Sequence, residues 1–350
     1  MVFLLLAIHM KFELFCTKET FNRMNLKISF FLPLIFVAFS SFSQERLAFL
    51  EVPDSLHQGR FWTCLATGTT IYTGLSIGLY DAWYSDFELV GFHTFDDRGE
   101  WEDMDKVGHL FSAYTAANIS FNGALWTGMD RKAATWTAVG VGTVIQSTIE
   151  LMDAFSAKWG FSWADIGYNT LGVGLFAGQE FLWHEQRVLM KVSSSFGGYT
   201  DTPILSVDDN STSSLRTRAG DLYGMGLGER FLKDYNQQTI WLSANIASFS
   251  FNPPDWLPKW LNLAVGYGAN NMFGGFENSW TENDASFILD ESQYPRYQQF
   301  YLSFDIDLDR IKSKSRFVKS LLHILNWIKI PSPALEITSK GNLYFHPLHY

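Results

Sequence analysis

The hydrophobic periodicity changes once along this chain, near residue 190, and that change limits the fold more than any other feature. Residues 59–190 repeat at helical spacing. Residues 191–350 alternate mainly with period two, as strands with two unlike faces do. A run of helices followed by a run of strands predicts an α+β fold: a four-helix bundle, then an antiparallel sheet region.

The first helix is expected from about Gly59 to Tyr84. Its stretch Phe61 to Leu79 carries no charge and holds Gly74 and Gly78, a small-xxx-small pair that lets a second helix approach. Asp96-Asp97-Arg98-Gly99 reads as a turn in a polar loop. The second helix is expected from Met104 to Leu125 and the third from Arg131 to Asp153. The fourth runs from Trp163 to Leu189, with Ser162 as its cap. Short links between them favour an antiparallel bundle that is either soluble or membrane-associated.

In the second half Ile240, Leu242, Ala244 and Ile246 alternate with Ser243 and Asn245. Leu261, Leu263, Val265 and Tyr267 repeat the pattern. So do Phe300, Leu302, Phe304, Ile306 and Leu308, against Ser303, Asp305 and Asp307. About five or six such strands are expected, fewer than the eight or more of a usual single-chain membrane barrel. A sheet packed on the bundle is therefore the expected arrangement. Ser206 to Arg218 reads as a mobile Ser/Thr-rich loop. A late amphipathic helix places Phe317, Leu321, Ile324, Leu325 and Ile328 on one stripe among Lys312, Lys314, Arg316, Lys319 and Lys329. Such a helix fits either an anionic membrane surface or the face of the sheet.

From Met24 the chain reads as a secretory signal. Lys27 forms the positive region, Ile28 to Phe39 the apolar core, and Ser41 and Ser43 the small residues before a cut at Gln44. That core is shorter than the roughly 20 residues of a spanning helix. Residues 1–43 are thus read as an N-terminal extension plus signal peptide, 44–190 as a helical domain and 191–350 as a strand-rich region. The residues before Met24 read as an upstream start. No Cys stands at the cut, so no lipid anchor is expected there. The mature chain keeps Cys64 alone, which leaves no internal disulfide. The net charge of −10 argues against nucleic acid as a partner. Aromatic residues make up 17%, which fits either a dense core or contact with a lipid interface. Membrane or envelope lipid is the expected partner, and the location the periplasmic face of the envelope, in association with an outer membrane. Protein partners and cofactors are not specified by the sequence.

Three polar pairs lie at helical spacing: Asp105 with His109, Glu150 with Asp153, and Asp165 with Asn169. Each pair shares a helix face. Glu150 follows Val139 to Ile149, a stretch without charge. A charge on an apolar face is costly unless paired, so these six side chains are expected to meet. Lys106 is expected to point elsewhere on its helix while offsetting part of the negative charge. Three uses are open. The cluster could be a hydrogen-bonded network that fixes helix register. It could be an acid/base or ligand site, with His109, Glu150 and Asp105 as the candidate catalytic residues. It could also be a divalent-metal site, although neither His-x-x-x-His nor Glu-x-x-His spacing occurs. Gly224 to Gly228 opens no lysine-bearing phosphate loop, Ser193-Ser194-Ser195 is no nucleophile elbow, and Cys64 sits among apolar residues.

The segments Asp105-Lys106-Val107-Gly108-His109, Glu150-Leu151-Met152-Asp153, Gly160-Phe161-Ser162-Trp163-Ala164-Asp165 and Asn169-Thr170-Leu171-Gly172 resemble, in order and spacing, the YfiM-like family of uncharacterised predicted periplasmic proteins, whose type member is a lipoprotein. The likeness covers about residues 100–185, and the strand-rich half resembles long Bacteroidetes-type members. Asn169 stands where the type member has Asp. A looser similarity is to the VanZ-like membrane proteins. Neither resemblance implies an established reaction. Two function classes follow: a structural or ligand-binding envelope protein, or an envelope hydrolase or transferase acting on lipid or cell-wall precursors with His109 as acid/base.

Overall fold

The computed structural model describes residues 51–208 and 210–350, and the signal read at residues 24–43 lies outside them. The fold is α+β. Helix α1 spans Gln58–Leu79 and continues as a π-helical turn, Tyr80–Tyr84. Helices α2 (Met104–Trp126), α3 (Arg131–Ala154) and α4 (Trp163–Trp183) follow. Their starts are where capping chemistry puts them. Asp130 Oδ1 accepts from Ala133 N at 3.0 Å, and Ser162 Oγ accepts from Asp165 N at 3.1 Å. Each such cap stabilises its helix by about 1 kcal/mol. Helix α4 ends six residues before the expected Leu189. His184 takes a left-handed conformation (φ 54°) there and closes on Glu180 O. Non-glycine residues adopt that conformation rarely, so no sequence signal marked the stop.

Helices α2, α3 and α4 pack on one another around Tyr114, Ala117, Phe121, Ala134, Ala138 and Phe176. The closest approach is at Gly172, where a Cβ would fall 2.3 Å from Leu110 O, so only glycine fits. Gly74 and Gly78, expected to admit a neighbour, face open space instead. Helix α1 meets α2 through Arg60, whose guanidinium sits 4.8 Å from the Trp126 ring, and α3 through Tyr72, whose hydroxyl meets Thr148 Oγ1 at 2.6 Å.

A short 3-10 turn, Glu100–Asp103, leads into α2 with three successive positive φ values: Trp101 52°, Glu102 53° and Asp103 60°. Left-handed backbone costs roughly 1–2 kcal/mol per residue and persists only where its surroundings hold it. The strand half holds it here. Trp101 N donates to Gly275 O at 2.7 Å, Arg296 Nε donates to Glu102 Oε1 at 2.9 Å, and Tyr267 Oη donates to Glu102 O.

Beyond α4 come β1 (Val188–Ser194), the hairpin β2 (Pro203–Leu205) and β3 (Thr212–Ser214), and helices α5 (Leu215–Tyr223) and α6 (Leu227–Lys233). Strand β3, the Ser214 cap and the start of α5 fall inside Ser206 to Arg218, read from sequence as a mobile loop. Then follow β4 (Gln238–Asn245), β5 (Leu261–Asn270), the hairpin β6 (Ser279–Glu282) and β7 (Ala285–Ile288), β8 (Tyr297–Ile306), helix α7 (Arg316–Leu325), β9 (Ser332–Thr338) and β10 (Leu343–His349). Six strands form one antiparallel sheet in the order β1-β4-β5-β8-β9-β10.

The sheet packs on the bundle at one end only. Met190 and Val192 of β1 and Ile240 of β4 join the helical core. Elsewhere the faces are unlike those of a water-soluble sheet. Ser243, Asn262, Ser303, Asp305 and Glu336 are buried together with Trp241, Ala264, Tyr301 and Ala334, while the larger aliphatic residues and Phe between them are exposed. The sheet curls around this mixed face: the Trp241 ring on β4 meets Tyr301 on β8 at 5.7 Å and His349 on β10 at 5.6 Å. Inside, Lys191 Nζ meets Asp305 Oδ2 at 2.9 Å with both side chains 0% exposed. Lys329, expected on the surface of the late helix, is buried over the Trp241 ring instead, at 4.8 Å.

Candidate functional site

The three helices bring their polar pairs to one end of the bundle. Asp105, Lys106 and His109 lie in the first turns of α2. Glu150 and Asp153 lie in the last turn of α3, and Asp165 and Asn169 in the first two turns of α4. Antiparallel α3 therefore delivers its C-terminal carboxylates to the N-terminal ends of α2 and α4, where helix dipoles favour negative charge.

Lys106 occupies the centre. Its Nζ lies 2.6 Å from Asp97 Oδ2, 2.7 Å from Asp165 Oδ1 and 3.0 Å from Asp105 Oδ2, and its side chain is 1% exposed. This reverses the expectation that Lys106 points away. The long flexible stem carries the ammonium back across the helix end, and three carboxylates compensate its burial. Asp97, read from sequence only as part of a turn, is one of the three, and Ser162 Oγ donates to its Oδ1 at 2.6 Å.

His109 sits next to this ion group. Its Nδ1 is 3.1 Å from Asn169 Oδ1 and 3.6 Å from Glu150 Oε1, while its Nε2 is 3.8 Å from Asp105 Oδ1 and 3.9 Å from Asp165 Oδ1. Asn169 Nδ2 donates to Glu150 Oε1 at 3.2 Å. With Nδ1 facing an amide oxygen, a ring proton on that nitrogen completes the contact. Asp153 stands to one side and accepts from Tyr84 Oη at 2.8 Å. Tyr235, from the strand-rich half, donates to Asp105 Oδ1 at 3.1 Å. Five of the six expected side chains thus converge, and Asp153 is held by a tyrosine. The two tyrosines and Asp97 lay beyond sequence reading, because residues far along the chain meet here without any periodic signal.

The electrostatics follow from burial. Burial pushes the Glu150 carboxyl up to about 8, against the pull of His109. It lifts Asp153 to about 7 against the Tyr84 hydrogen bond, and Asp165 to about 7 against His109. Asp105 goes the other way: despite burial, His109 and Lys106 hold its carboxyl below the usual range. Burial opposes charge on His109, but Asp105, Asp165 and Glu150 outweigh it and raise its pKa. Two buried acceptors one turn apart on α3, Glu150 Oε2 and Gln146 Oε1, have no hydrogen-bond partner among the described residues. A neutral Glu150 carries a hydroxyl and so spares the bundle an uncompensated charge. Burial thus lets Glu150, Asp153 and Asp165 keep their protons to higher pH than exposed carboxyls do.

Asp105, His109 and Asp165 each offer one atom within 4.8 Å of the others, a spacing that three ligands of one divalent ion could adopt. The donor set does not fit a dication as it stands. Asp165 Oδ1, one of the nearby oxygens, is already 2.7 Å from the Lys106 ammonium. A dication there would face that cation at close range, and the acidic cage is already filled by lysine.

Residues 94–178, less than half of the chain, match the model of a family described as "Predicted periplasmic lipoprotein (DUF2279)". The matched segment contains Asp97, Asp105, Lys106, His109, Glu150, Asp153, Asp165 and Asn169, while Tyr84 and Tyr235 lie outside it. No curated protein and no solved structure matches the chain.

Proposed function

We propose that this chain is a non-enzymatic cell-envelope protein whose helical region, 44–190, is locked by an internally compensated ion cluster. Its strand-rich region, 191–350, provides the attachment surface. The observation that carries the reading is Lys106, buried and held by Asp97, Asp105 and Asp165 from a loop and two helices. A cation that ties three segments together fixes their register, the best-attested use of buried charge. The family description supports an exported, periplasmic location. Association with an outer membrane, and the closer likeness to YfiM-like or VanZ-like proteins, are finer parts of the same proposal, and the ordered motif set supports them.

The test is elemental analysis and thermal unfolding of the full chain beside His109→Ala and Glu150→Ala. An architectural cluster gives no stoichiometric metal and a clear drop in unfolding temperature for both variants. Stoichiometric metal that both variants lose while staying folded would overturn the proposal.

One observation favours the second reading, a hydrolase or transferase with His109 as acid/base. The His109 and Asp105 side chains keep 11% and 24% exposure, and Glu150 and Asp165 hold protons near neutrality. On that reading His109→Ala abolishes turnover of lipid or cell-wall precursors while His109→Asn stays folded. Unchanged turnover in His109→Asn would end it.

A further inference from the structure

The sheet's outward face points to a lipid partner. We infer that the exposed apolar face of β5, β8 and β9, together with the basic helix α7, seats on an anionic lipid surface.

Three observations carry this. The first is the arrangement of the two faces. On one face the strands bury Lys191, Asp305, Ser243 and Asn262 in a closed hydrogen-bonded set. Ser243 Oγ donates to Asp305 Oδ2 at 2.6 Å, and Asn262 Nδ2 donates to Ser243 Oγ at 2.9 Å. On the other face Leu302 lies opposite Val265 and Leu335, and Phe300 lies opposite Ile337. These side chains form cross-strand rows and are 45–55% exposed. Water would favour the opposite arrangement, since buried apolar area gains about 25 cal/mol per Å² and buried charge costs energy. A sheet that turns its large aliphatic and Phe residues outward, and buries its charges beside Trp241 and Tyr301, presents the face that hydrocarbon selects.

The second observation is charge. The whole chain carries −10, which repels an anionic surface. Yet residues 310–325 contain no acid and carry Lys312, Lys314 and Lys319, all exposed. The same segment exposes Phe317, Leu321 and Ile324. Exposed cations beside an exposed apolar stripe match anionic headgroups over acyl chains. The third is that exposure is not confined to one patch. Helix α1 also presents Trp62, Ile71 and Leu75 to the outside, although no helix of the described residues is long and apolar enough to cross a membrane. A lipid phase acts as a solvent for several such faces; a single docked protein covers one.

The test is flotation of the purified full chain with phosphatidylethanolamine–phosphatidylglycerol vesicles and with phosphatidylcholine vesicles. Leu302→Lys and the triple change Lys312→Gln, Lys314→Gln, Lys319→Gln are run alongside. All four positions are exposed, and circular dichroism melts check that the variants stay folded. The wild type floats with the anionic vesicles. Leu302→Lys loses about tenfold or more in partitioning on either lipid, since a lysine on a lipid face is strongly disfavoured. The triple variant loses about tenfold or more on anionic vesicles alone and becomes insensitive to salt. Failure of the wild type to float overturns the inference, as does equal flotation of Leu302→Lys. A dimer that Leu302→Lys splits, with no change in flotation, assigns the face to a second copy and overturns it too. None of these outcomes bears on the cluster, whose test is metal content and melting.

Discussion

The helical half and the sheet each bury a lysine among polar groups, and they balance it differently. Around Lys106 stand Asp97, Asp105 and Asp165, with Glu150, Asp153 and His109 nearby. Around Lys191 stands Asp305, with Ser243 Oγ and the Ile330 N–H completing the carboxylate's hydrogen bonds. The helical cluster has more carboxylates than cations, so some must hold protons. The sheet pair is matched one to one by charge and finished with neutral donors. A surplus of acid makes stability depend on pH; a matched pair with neutral partners can be swapped out as a unit.

The largest effect that would break this comparison is Lys106→Met. It leaves the buried Asp97 and Asp165 and the part-buried Asp105 without their cation, and about 3–5 kcal/mol is expected to be lost at neutral pH. Chemical denaturation at pH 8 and pH 5.5 measures it. The loss shrinks at the lower pH, where Asp165, raised to about 7 by burial, takes up a proton. A loss below about 1 kcal/mol would show that Lys106 is not the keystone.

Next in size is the contrast within the sheet. Lys191→Met alone strands Asp305 in a sealed interior and is expected to cost a similar amount. The double change Lys191→Met, Asp305→Leu is expected to cost less than either single change, because neither member of the pair is left buried without the other. A double variant worse than both singles would mean that the pair carries more than charge balance.

The pH slope comes third. Glu150, Asp153 and Asp165 have folded-state pKa values raised above their ordinary range, so the folded protein binds more protons than the unfolded one through that window. Their contribution to stability is therefore full below the ordinary carboxylate range and falls as pH rises toward about 8. Glu150→Gln removes one such proton and is expected to flatten the slope by at most about 1.4 kcal/mol per pH unit. Lys329 acts in the opposite sense. Burial lowers its pKa to about 8, so stability rises between there and the ordinary lysine range. Denaturation series from pH 5 to 10 on wild type and Glu150→Gln read both, and a slope unchanged by the substitution would remove Glu150 from the account.

The smallest expected effect tests the tie between the halves. Tyr235→Phe deletes the hydroxyl that donates to Asp105 and is expected to cost about 1.5–3 kcal/mol, as hydrogen bonds to charged groups do. A neutral result would mean that the strand half closes the cluster by packing alone.

Much of the helical half was legible in the chain. Ser162 announces α4, and the apolar repeat carries α2 and α3 for nearly their whole length. His109, Glu150, Asp165 and Asn169 stand out because polar residues on an apolar stripe must find partners. Less could be read where contacts join distant segments. Asp97 looks like any turn residue, and Tyr84 and Tyr235 look like core aromatics. Lys106 could be placed on a helix but not given a direction, since its four-carbon stem reaches either way.

By itself, then, the sequence determined the main helices, the two-faced strands and the five periodic polar residues that meet in the cluster, because caps and periodicity are local physics. Only the tertiary structure decided which face turns inward. Period two is the same for a sheet in water and a sheet in lipid, and the choice belongs to what surrounds the folded chain. The same holds for Lys106: its charge is written in the chain, but its place among three carboxylates exists only once a loop and two helices have met.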